Sequence, residues 1–184
     1  KAFPYAKMAN FGWVPKTLKI REKVVYLFNY FEVASTKAWE DYYINQKLQV
    51  AFRISLKDHE NATAIASWLR QGELQSELLE VPEFDKSAFK KLILQPEDFF
   101  EQLQALCLTA GVKVVHTPCL PKTAIHGSTR WINNVPLIQL SGRYRRNDIF
   151  WFTFFHEVGH ILLHGKKYIS IENVAYTGEN EDYE

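Results

Sequence analysis

Apolar residues recur at helical spacing through much of the first 110 positions. Ile20, Val24, Leu27, Phe28 and Phe31 follow at i, i+4, i+7, i+8 and i+11, and Thr17 stands where an N-cap is expected. Ser35 and Thr36 precede a short helix with Trp39, Tyr42 and Tyr43, whose spacing reads as core packing. Asp58 caps a further predicted helix through Arg70 that buries Ala62, Ile65, Ala66 and Leu69. Gly72 interrupts it, and Leu74, Leu78 and Leu79 continue it weakly. Asp85 opens a short helix with Phe89, Leu92 and Ile93. Pro96 opens another, with Phe99, Phe100, Leu103, Leu106, Cys107 and Ala110, which Gly111 ends. Residues 1–15 read as an arm or short helix laid on the core. Residues 47–55 alternate through Leu48, Val50, Phe52 and Ile54 between helical signals, and strand and helix both stay open there.

At Val112 the period changes. Val112, Val114 and Val115 read as a strand, residues 124–132 as a second and residues 135–140 as a third. Asn133-Asn134 supplies the turn of a hairpin between the last two. Residues 148–165, DIFWFTFFHEVGHILLHG, then return to helical length and are apolar over most of their circumference, which predicts a buried helix. The expected fold class is α+β: a small three-stranded sheet against this last helix, with an additional N-terminal helical region. Residues 1–110 form the helical region and residues 111–184 the core in this reading.

The last helix carries the chemistry. His156-Glu157-Val158-Gly159-His160 is an H-E-x-x-H run. Positions i and i+4 differ by about 40° around a helix axis and about 6 Å along it, so both imidazoles can reach one ion. Thr153, His160, His164 and Glu157 fall within about 100° of His156, which makes one polar stripe on an apolar helix. A buried polar stripe needs a partner, and zinc matches the ligand type. Zinc lowers the pKa of a bound water toward neutrality, and Glu157 beside the first ligand is placed to take its proton. His164 lies eight residues from His156 and about 12 Å along the axis, so it reads as a capping or supporting residue. His116, His126 and Cys119 are weaker candidates as ligands, more plainly read as hydrogen-bonded or surface residues. A glutamate after the helix is the expected third ligand, either in the acidic tail that carries Glu172, Glu179, Glu181, Asp182 and Glu184 or just beyond Glu184.

Composition narrows the classes. The 184 residues are 47% apolar and 15% aromatic, which is a folded globule and not a disordered segment. A net charge of +1 calls for neither nucleic acid nor an anionic membrane. Arg143, Arg145 and Arg146 read as a solvated loop, with a phosphate or acidic contact as the alternative. Two cysteines are too few for a disulfide scaffold, which fits a reducing cytoplasm, and no apolar run approaches a membrane span. The first residue is Lys1, and the chain reads as a piece of a longer protein.

FWFTFFHEVGHILLHGKK at residues 150–167 resembles the metal helix of the ImmA/IrrE-type metallo-endopeptidase family, and residues 110–148 resemble that family's three-stranded segment. AFRIS, ASWLRQGEL and the FGWVP opening are similar to a larger subgroup, HigA-like antidote regulators in which this domain follows a helix-turn-helix. The resemblance implies a zincin-like fold, zinc on His156 and His160, and Glu157 as general base. It implies limited proteolysis of a partner repressor or toxin-related protein, with the substrate added as a strand near residues 127–132. The family's third ligand is a glutamate some 25 residues past the second histidine; no matching pattern occurs here, Glu184 is only a placeholder, and the core is expected to be C-terminally incomplete. DNA contact is expected only through an N-terminal domain outside this chain, no membrane contact is expected, and a homodimer is one expected assembly. The alternative function is a catalytically silent sensor or dimerisation domain of a DNA-binding antitoxin-type regulator.

Overall fold

The computed structural model describes residues 2–48, 61–94, 102–121, 123, 125–142, 147–164 and 170–173. Its helices are α1 (Tyr5–Asn10), α2 (Ile20–Phe31), α3 (Thr36–Trp39) with a π-helical continuation (Glu40–Leu48), α4 (Ala62–Glu77), α5 (Lys86–Ile93), α6 (Leu103–Thr109) and α7 (Asn147–Leu163). The strands are β1 (Lys113–His116), β2 (Ile125–Ile132), β3 (Val135–Leu140) and β4 (Ser170–Asn173). The class is α+β, as expected. The sheet has four strands in the order β1-β3-β2-β4, where three were expected. β1 runs parallel to β3, and β2 is antiparallel to both β3 and β4. The β2–β3 turn uses Asn133 (φ 50°) and Asn134 (φ 67°), the left-handed pair that a tight hairpin requires.

Local chemistry sets several ends. Ser35 accepts from the Ala38 N–H, and Asp85 accepts from the Ser87 and Ala88 N–H groups, so both expected caps form. Thr17 does not cap α2. Lys19 holds that position, and the Thr17 hydroxyl donates to the Glu22 carboxylate at 2.6 Å. Gly111, at φ 77°, follows α6 as anticipated. Asp58, Pro96 and the alternating run at 49–55 lie outside the described residues.

α4 departs most from expectation. It runs unbroken through Gly72, and twelve of its sixteen residues are buried, among them Thr63, Ser67, Arg70 and Glu73. The reason is its position between α2 and one face of the sheet. Polar strand residues meet it there: Arg130 donates to the Leu69 carbonyl and to Gln139 Oε1 (both 2.8 Å), and Gln139 Nε2 donates to the Trp68 carbonyl (2.7 Å). Arg130 Nε also lies 3.5 Å from the Glu73 carboxylate, which Arg70 approaches at 3.6 Å. Gly72 exists for this contact. A Cβ there would stand 2.0 Å from Gln139 Oε1, so the missing side chain admits the amide.

α7 covers the other sheet face. Phe154, Val158 and Ile161 pack with Val114, Ile138 and Leu140 of the strands and with Phe89, Leu103 and Cys107 of α5 and α6. A second apolar cluster joins α1, α2, α3 and α4 with Leu120 and Ile125. Among the described residues no helix is long and apolar enough to cross a membrane.

Gly72→Ala is expected to destabilise the fold by about 1–3 kcal/mol through overpacking. Removing the obstructing amide in Gly72→Ala/Gln139→Ala should make the double variant's loss smaller than the sum of the two single losses. Urea denaturation of the four proteins checks this; additive losses would mean that the two side chains do not compete for the same space.

Candidate metal centre

α7 does not bury its whole circumference. Phe154, Val158, Ile161 and Glu157 face inward, while Phe152 (66% exposed), Phe155 and Leu163 face outward. An apolar sequence on this helix therefore marks both a packed side and an open one. The polar stripe lies between them: Thr153 and Glu157 are buried, His160 is half-buried, and His156 and His164 are exposed.

The helix brings the two predicted ligands together. His156 Nε2 and His160 Nε2 are 3.0 Å apart, with ring centroids at 4.7 Å and planes at 84°. Two nitrogens at about 2.0–2.1 Å from one tetrahedral zinc would be about 3.3 Å apart, so the pair fits an ion after an adjustment of a few tenths of an ångström. Phe152 stacks beside the His156 ring, with centroids 6.2 Å apart. Burial, then His156 and His164, lower the His160 pKa to about 4, so the imidazole is neutral at pH 7, as a metal ligand must be. The His164 N–H donates to the His160 carbonyl at the end of the helix, and the His160 and His164 rings are 5.3 Å apart.

Glu157 lies to one side of this pair. It is fully buried, and its Oε1 stands 2.8 Å from where a Cβ on Gly127 would be. Thr153 Cγ2 is at the same 2.8 Å from that point. Thr129 on β2 donates to the Glu157 carbonyl at 3.1 Å, which fastens the strand to the motif. Sequence reasoning missed Gly127 and Thr129. A glycine within a strand signals close approach of another element, and that was the available sign.

The other candidates do not join the histidine pair. His116 ends β1 with its Nε2 against Gly142, and Cys119 Sγ donates to the Ile125 carbonyl at 3.3 Å. His126 lines a small cavity with Leu140, Ser141 and Thr153. Cys107 is a core thiol, its pKa pushed up to about 12 by burial. Among the described residues no group of three His, Cys, Asp or Glu that could hold a metal occurs. Glu172 stands in β4 directly across from Gly127 in the ladder. Glu179, Glu181, Asp182, Glu184 and the arginines at 143, 145 and 146 lie outside the described residues.

One expectation about substrate is corrected. Strand addition needs an open side of β2; β3 occupies one side, and β4 takes the other from Ile125 to Thr129, which closes residues 127–129 of the expected stretch 127–132. Among the described residues the edges of this sheet are β1 and β4.

The depressed pKa of His160 has a signed consequence for the metal-free protein. The unfolded chain takes up the proton at its ordinary pKa of about 6.5, the folded chain only near 4, so stability falls as pH drops through that window. An NMR titration of the ring carbons should find His160 neutral at pH 5.5; titration at an unshifted pH would contradict the burial that is described. No family model, curated protein or solved structure matches the chain, so its reading rests on the geometry above.

Proposed function

We propose that the chain is a zinc-dependent metallo-endopeptidase-like domain of a bacterial transcriptional regulator, zincin-like in fold, that hydrolyses a peptide bond in a partner protein such as a repressor. The observation that carries this reading is the 3.0 Å approach of His156 Nε2 and His160 Nε2 on one helical stripe beside a glutamate. His156 and His160 hold the metal, and a glutamate from further along the chain completes the ligand set. A zinc ion bound there supplies Lewis acidity, which polarises a carbonyl and activates water. Glu157 accepts the proton of the attacking water and returns it to the leaving amine. Gly127 leaves the Glu157 carboxylate room beside β2. The setting in this proposal is the cytoplasm.

A second reading has its own support. Glu157 has no exposed surface, its carboxylate sits against β2, and a base must meet water to act. A sensor or dimerisation domain of a DNA-binding antitoxin-type regulator, in which the site is structural, accounts for that burial.

Elemental analysis of purified protein should find close to one zinc per chain, lost in His156→Ala and retained in Glu157→Gln. Glu157→Gln should also lower cleavage of the partner at least about 100-fold, the usual contribution of a general base. Zinc retained with regulation unchanged in Glu157→Gln selects the second reading. Failure of the metal-replete wild type to hold zinc refutes the peptidase.

A further inference from the structure

α2 carries apolar residues on two sides. Tyr26, Leu27, Tyr30 and Phe31 join the cluster built with α1, α3 and α4. Ile20, Val24 and Val25 do not; they are 77%, 42% and 54% exposed, and Leu18 just before the helix is 93% exposed. Phe28 is half-buried and belongs to neither apolar cluster. The expected stripe Ile20, Val24, Leu27, Phe28 and Phe31 is therefore split, with Leu27 and Phe31 packed and the rest turned outward. A helix apolar on two sides is normally held between two partners, and among the described residues only one is present.

The open side also carries charge. Counting about 100° per residue from Ile20, the inward Tyr30, Leu27 and Phe31 fall at about 280°, 340° and 20°. Val24, Phe28, Arg21, Glu32 and Val25 fall between about 40° and 140°. Arg21 and Glu32 are separated by about three turns, or about 16 Å, so they stand on one side at opposite ends with Val25 and Phe28 between them. Glu22 is engaged by Thr17 and Lys19, and Lys23 lies over the Tyr5 ring at 5.4 Å. Arg21 is exposed and has no ion-pair partner among the described residues. Arg70 Nη2 approaches Glu32 at 3.0 Å, but the Glu32 side chain stays 71% exposed and has room for a second cation.

We infer that this face of α2 is a dimer interface, with two copies of the chain packed antiparallel about a two-fold axis near residues 26 and 27. That axis sets Arg21 beside the partner's Glu32 and Val25 against the partner's Phe28, and each contact occurs twice, as an isologous interface requires. Opposite charges placed evenly about an apolar centre are what a second copy needs; an unrelated partner would need no such symmetry. A parallel pair would oppose Arg21 to the partner's Arg21, and like charges disfavour it. α2 is about 18 Å long, so the interface is small and the affinity micromolar. The inference holds under either reading of the metal centre, because α2 packs on α4 and the histidine pair lies on α7, across the sheet.

Sedimentation velocity of the full chain tests this. The wild type should show a monomer–dimer equilibrium with a Kd of about 10–100 µM. Val25→Asp and Arg21→Glu should each raise that Kd by at least about tenfold, with an unchanged circular dichroism spectrum. Arg21→Glu/Glu32→Arg should return it to within about threefold of the wild type, because the charges are exchanged and not lost. His156→Ala should dimerise as the wild type does, which separates this result from zinc binding. Glu32 also neighbours Arg70, so a charge-exchanged variant that fails to fold is replaced by cross-linking. Val25→Cys and Phe28→Cys chains, mixed and oxidised, should form a disulfide between positions 25 and 28, identified by peptide mapping. A wild type that stays monomeric at about 200 µM overturns the interface. A dimer that Val25→Asp and Arg21→Glu leave intact, or the absence of the cross-link, also overturns it.

Discussion

The close approach of α7 to β2 at Gly127 is the contact on which the rest of the site depends. A glycine there lets the helix settle onto the strand until Glu157 and Thr153 occupy the space of the missing side chain. The Thr129 hydroxyl, two residues on, bonds the Glu157 carbonyl and sets the register of helix against strand. Once that register holds, helical geometry alone turns His156 and His160 toward each other. A larger residue at 127 would meet Glu157 Oε1 and Thr153 Cγ2 at 2.8 Å, and those side chains would have to move.

The opposite face of the sheet is held by different physics. α4 is packed against strands that present Arg130 and Gln139, and the contact closes through hydrogen bonds to helix carbonyls. Those bonds are directional, and they pin α4 in rotation and translation at once. Burying an arginine is costly unless it is paired, and the Glu73 carboxylate with the Leu69 carbonyl offsets that cost. One face of the sheet thus specifies position through polar geometry, and the other through apolar packing and one missing side chain.

Much of this was legible in the pattern of residues. The change of period at Val112, the Asn-Asn hairpin and the caps at Ser35 and Asp85 are local effects, decided within a few residues, and they form as read. The pairing of His156 with His160 is equally local, because a helix guarantees it. What escaped was tertiary. Gly72 reads as a breaker until Gln139 is seen to need its space. The burial of α4 on all sides depends on two layers that its own sequence does not name. β4 has four residues with no alternation long enough to identify, and it forms because β2 has an open edge beside it. Thr17 has the right chemistry for a cap but found a carboxylate at Glu22 first.

The central claim is that His156 and His160 bind one ion together. Zinc-edge X-ray absorption on the metal-loaded protein tests it most directly. The account predicts two imidazole nitrogens at about 2.0–2.1 Å, with the outer-shell scattering of rigid rings. A spectrum fitted by oxygen alone, or by a single imidazole, would contradict it.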